Sequence, residues 1–147
     1  MKTSRILAGS FAVLCVAAVL LNAADKKRLA GPKGGRLLET EPRAEFFLEK
    51  DHTATIAFYD SALKPVAATE QSATVIADAN GGKIKVEFEK KGDVLVSKSK
   101  LPEGGDYNVV VQIQLKPEAK PRNFRFKLDL HTCGECKRAE YACVCHE

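Results

Sequence analysis

The chain has 147 residues, 45% of them hydrophobic and 29% charged, which fits one globular domain with tails and excludes wholesale disorder. It has no tryptophan and only 7% aromatic residues, leaving little for a base-stacking platform. The formal charge of +4 is concentrated near the start: from Leu37 onward 16 basic side chains face 18 acidic ones, so no nucleic-acid partner is expected.

Lys2 and Arg5 precede an apolar run over residues 6–21, interrupted only by Gly9 and Ser10. Asn22-Ala23-Ala24 then supplies the small residues of a cleavage site. This three-part layout predicts a secretory signal peptide over residues 1–24 and a periplasmic or secreted location. The run of 16 residues falls short of the roughly 20 that span a bilayer, so membrane attachment is expected only through an uncleaved signal segment. Leu14 stands before Cys15, where a lipid-attachment site wants a small residue, so Cys15 is read as part of the apolar run.

Residues 25–42 are expected to form a flexible basic linker. Its first part, DKKRLAGPKGGR, has three glycines, one proline and five basic side chains, and no apolar periodicity. From Arg43 the pattern turns to period two. Ile84, Val86 and Phe88 alternate with Lys85, Glu87 and Glu89. Val109, Val111, Ile113 and Leu115 repeat this against Asn108, Gln112 and Gln114, and Phe124, Phe126, Leu128 and Leu130 against Arg125, Lys127 and Asp129. Weaker strands are predicted at residues 44–49, 53–59, 73–77 and 94–97. Turn chemistry separates them at Asn80-Gly81-Gly82, Lys91-Gly92-Asp93 and Glu103-Gly104-Gly105-Asp106. About seven strands over residues 43–131 predict an all-β, antiparallel, immunoglobulin-like sandwich. Inward side chains of these types contribute about 1.5–3 kcal/mol each when fully buried, so the fold does not need its cysteines to exist.

Without the signal segment four cysteines remain, all in a tail over residues 132–147: Cys133, Cys136, Cys143 and Cys145, spaced Cys-x2-Cys-x6-Cys-x-Cys between His131 and His146. The two-residue gap, eased by Gly134, lets two thiolates face one ion. The one-residue gap fits less well, because side chains two apart on an extended strand lie about 6.5–7 Å apart. Sulfurs around a tetrahedral zinc ion lie about 4 Å from each other. Thiolates with imidazoles nearby suit Zn(II) or Cu(I) and exclude calcium or magnesium. The expected metal ligands are Cys133, Cys136, Cys143 and Cys145, with His131 or His146 able to stand in for one. A disulfide framework pairing Cys133 with Cys145 and Cys136 with Cys143 fits the same spacing in an exported chain. A redox pair in Cys133-Gly134-Glu135-Cys136 is a third reading, although it follows a strand instead of opening a helix.

Elsewhere the chemistry is plain. His52 reads as a turn residue, and Asp51, Asp60 and Glu70 as solvated loop carboxylates. No serine–histidine arrangement or phosphate loop is present, so no enzyme is expected.

The stretches Gly31-Pro32-Lys33-Gly34-Gly35-Arg36-Leu37-Leu38-Glu39, Ala44-Glu45-Phe46-Phe47, Ile56-Ala57-Phe58-Tyr59-Asp60 and Lys64-Pro65-Val66 resemble a group of small exported proteins. These accompany heavy-metal efflux systems of the resistance–nodulation–division (RND) type in Gram-negative bacteria, and are similar to parts of the periplasmic adaptor subunits. The resemblance covers residues 31–130. It implies an envelope location and, as partner, an efflux assembly or its adaptor. The chain lacks the helical hairpin and lipoyl-like segments of a full adaptor. The resemblance supplies no ligand residues. Together these readings predict a secreted or periplasmic soft-metal-binding protein. The alternative is a structural or protein-interaction module with a disulfide-stapled C-terminus.

Overall fold

The computed structural model describes residues 28–145. The expected signal segment and His146 lie outside the described residues. The fold is all-β and antiparallel, with strands β1 (Arg36–Leu38), β2 (Arg43–Leu48), β3 (Ala54–Tyr59), β4 (Pro65–Val66), β5 (Ser72–Ala79), β6 (Gly82–Lys91), β7 (Val94–Ser97), β8 (Tyr107–Gln114) and β9 (Arg122–Leu128). A single 3₁₀ turn, Glu140–Ala142, follows them. No helix among the described residues is long and apolar enough to cross a membrane.

The nine strands form one sheet in the order β1-β2-β3-β7-β6-β5-β8-β9, with β4 paired to the end of β3. The sheet curls until its edge strands approach: the Arg36 guanidinium of β1 lies 4.6 Å from the Phe126 ring centre of β9. The result is nearly a closed barrel. Its corner is β6, whose first half pairs with β5 and whose last four residues pair with β7. A ten-residue strand is long enough to serve both halves, and such switching is how corners between packed sheets are made.

All seven expected strands are present. Two more, β1 and β4, were not anticipated, and β6 joins the two expected sheets into one. Alternating burial cannot distinguish these arrangements, because a sandwich and a barrel both leave one face wet.

Residues 30–36 are folded, contrary to the expected flexible linker. Ala30 bridges to Arg36, and β1 pairs with β2. The cause is Glu45, whose carboxylate is buried on β2. Gly35 N–H donates to Glu45 Oε1 at 2.7 Å, and Lys33 N–H donates to both carboxylate oxygens. Gly35 has to be glycine, since a Cβ there would lie 2.2 Å from the Phe46 carbonyl oxygen. Burial, and then its bond to Glu45, push the Tyr59 hydroxyl up to about 12. Replacing Glu45 with alanine orphans these amides. It is expected to cost about 1–3 kcal/mol in urea unfolding and to open the 31–35 loop to protease.

Phe46, Ile56, Phe58, Val75, Val86, Val109, Val111, Ile113 and Leu128 form the centre of the core. Two expected inward positions are exceptions. Ile84 is 42% exposed because β7 pairs with β6 only from Phe88 onward, so no strand flanks it on that side. Leu130 is exposed because it lies beyond the end of β9.

Candidate metal centre

After β9 the chain makes a short hairpin. Thr132 bridges to Ala139, Cys133 N–H donates to the Arg138 carbonyl at 2.7 Å, and Lys137 N–H donates back to the Cys133 carbonyl. Lys137 takes a positive φ of 59° to close the turn. The 3₁₀ turn then reverses direction, with Cys143 N–H donating to the Glu140 carbonyl. These two reversals return Cys143 and Cys145 to Cys133 and Cys136.

The four Sγ atoms lie within 4.8 Å of one another. Cys143 Sγ is 3.2 Å from Cys133 Sγ and 3.7 Å from Cys136 Sγ. Bonds of about 2.3 Å from a tetrahedral zinc ion place sulfurs about 3.8 Å apart, so the cluster is close to the size such an ion requires. A disulfide needs about 2.05 Å, well below the 3.2 and 3.7 Å that separate Cys143 Sγ from Cys133 and Cys136 Sγ. The one-residue gap is accommodated because the backbone bends at Val144 and Cys145, and Cys145 N–H donates to Cys143 Sγ at 3.4 Å.

Cys133 and Cys143 are 1% and 3% exposed, Cys136 is half-buried and Cys145 is exposed. An ion here would be sealed on the core side and reached from the Cys145 side. Backbone amides of Arg138 and Val144, bonding to the Cys136 sulfur, hold its thiol down to about 6. Cys145 is pushed up to about 12, first by lost hydration and then by the neighbouring sulfurs. A bound ion would take the place of thiol protons, because cysteine ligates metal as the thiolate.

The segment is fastened to both edges of the sheet. Tyr141 is buried against Phe46 and Phe126, with ring centres 5.9 and 6.3 Å away. Its hydroxyl accepts from Leu48 N–H at 3.1 Å. Arg36 donates to the Tyr141 carbonyl, Arg28 to the Cys143 carbonyl, and Arg138 to the Gly31 carbonyl. Burial, and then the nearby Arg28 charge, lower Arg36 to about 10. These cations flank a site that would stay anionic with a divalent ion bound, since four thiolates carry twice its charge.

His131 is not brought into the cluster. Its side chain is 83% exposed, and Nδ1 lies 2.7 Å from Asp129 Oδ1, which anchors it two residues away. His146 lies outside the described residues. His52 sits in a turn with φ of 66°, as expected. Asp51 and Asp60 build turns: Asp51 accepts from Thr53 N–H and Oγ1, bonds that lower its carboxyl, and Asp60 accepts from Ala62 and Lys64. Sequence reasoning missed Tyr141, Arg28 and Arg36 as parts of the site. The available signal was Tyr141 itself, the only aromatic residue in the tail.

No protein family, curated protein or solved structure matches the chain.

Proposed function

We propose that the protein is a non-catalytic, soft-metal-binding β-protein of the cell envelope, secreted or periplasmic, with Cys133, Cys136, Cys143 and Cys145 as thiolate ligands to Zn(II) or Cu(I). The observation that carries this reading is the convergence of four sulfurs within 4.8 Å of one another. A closed tetrahedral set of four sulfurs suits zinc best, and a fully protein-ligated ion is structural or stored rather than catalytic. Exposed Cys145 gives a partner access for metal transfer. The partner we propose is an efflux assembly of the RND type or its adaptor, as implied by the resemblance read from the sequence of residues 31–130.

The framework is proposed to be an immunoglobulin-like variant. The order β2-β3-β7-β6 followed by β5-β8-β9 follows the ABED and CFG order of such folds, with the β5–β6 hairpin joining the halves.

The rival reading is a structural or interaction module stapled by disulfides. The 3.2 Å approach of Cys133 and Cys143 is the observation in its favour. Native and denatured intact masses of the exported form, prepared without reductant, separate the two. The metal reading expects one ion per chain, four titratable thiols after denaturation, and loss of the ion on replacing Cys133 and Cys136 with serine. A metal-free chain with no free thiols would overturn it.

A further inference from the structure

We propose that the open end of the seam between β1 and β9 binds an acidic, extended segment of a partner protein, which adds as a strand to the free edge of β9. The cysteine segment fills only the end of the seam beside Phe126 and Asp129. At the other end a cleft of about 570 Å³ separates the edges, with Arg28, Leu37, Glu39 and Arg122 in its walls. A second hollow of about 310 Å³ continues it past Phe124 and Arg125. Along this stretch β9 pairs with β8 alone, and among the described residues 122–125 make no backbone hydrogen bond on the cleft side. Unused strand amides and carbonyls are what strand addition requires.

Geometry selects the edge. Every neighbouring pair in the eight-strand path is antiparallel, so β1 and β9 run in opposite directions and an inserted strand can be antiparallel to only one. β9 has seven residues and β1 has three, so β9 is the template.

Charge selects the occupant. Arg28, Arg36, Arg43, Arg122 and Arg125 line the two hollows, against Glu39 and Glu41. Among the described residues none of these arginines makes an ion pair. Guanidinium groups recognise carboxylates through paired, planar hydrogen bonds. Half-buried Leu37 and Phe124 supply apolar surface beside them. Phe124 lies on the inner face of β9 and Arg125 on the outer one, and a strand alternating acidic and apolar residues presents apolar side chains to the first and carboxylates to the second. The test is independent of the metal reading, because Arg122 and Arg125, unlike Arg28 and Arg36, make no hydrogen bond to the cysteine segment among the described residues.

The test uses the full chain and a labelled peptide of alternating glutamate and valine, about eight residues long. Fluorescence anisotropy is expected to give saturable binding, weakened about tenfold or more by combining Arg122→Glu with Arg125→Glu. Both arginines are exposed, and an unchanged melting curve verifies that the variant folds. Amide exchange at residues 122–125 should slow in the complex, and a proline at the centre of the peptide should abolish binding. Equal binding of a lysine–valine peptide, or unchanged affinity in the arginine variant or for the proline peptide, would overturn the proposal. Displacement of the peptide by anionic phospholipid vesicles would overturn it by assigning the arginines to a membrane surface. A dimer lost in the variant would do so by giving the edge to a second copy.

Discussion

Chelating the ion proposed for the cysteine cluster is expected to lower the melting temperature by roughly 15 °C. An ion that binds only the folded chain adds about 4 kcal/mol when free metal is about a thousand times its Kd. Each kcal/mol is worth about 4 °C for a domain of this size. Cys133→Ser should reproduce the shift, since a hydroxyl is a poor ligand for a soft ion and this side chain is buried in the cluster. The barrel core contains none of the four clustered cysteines, so β5 and β8 should keep their amide protection while residues 131–145 lose theirs. Melting curves that coincide with and without chelator would defeat the metal reading. A serine variant that melts early beside a chelator-treated chain that does not would identify a disulfide instead.

Tyr141→Ala is expected to cost about 3–5 kcal/mol in urea unfolding, the range for deleting a buried aromatic ring. The ring spans the seam, touching Phe46 on one side and Phe126 on the other, and its loss leaves Leu48 N–H without its acceptor. Tyr141→Phe keeps the packing and removes only the hydroxyl, so about 1–3 kcal/mol is expected there. If the alanine and phenylalanine variants lose the same stability, the ring contributes nothing as a plug. A further consequence is measurable in the same variants: Tyr141→Ala should weaken metal retention although it touches no sulfur, because Cys143 is positioned by the turn that Tyr141 anchors.

Much of the framework was legible because burial in strands repeats every second residue. Val109, Val111 and Ile113 alternate cleanly and form a central strand, and Val94–Ser97 was placed residue for residue. β1 was hidden by composition: glycines and lysines resemble a tether until Glu45, ten residues downstream of Gly35, is known to bind their amides. Such a contact has no local signature. The corner in β6 was equally invisible, since the same alternation continues through both halves, and Ile84 was misjudged because its exposure depends on where β7 stops. The four clustered cysteines were readable from their density in the tail alone. Their convergence depends on two chain reversals, and His131 was set aside by an Asp129 contact that spacing does not reveal.

The bonds that fasten the seam join residues far apart along the polypeptide: Arg28 to Cys143, Arg138 to Gly31 and Arg36 to Tyr141 are separated by 115, 107 and 105 positions. None of them can form before residue 138 has been made, and loops of that length close slowly. Zippering of the seam is thus a late event in the folding of residues 28–145.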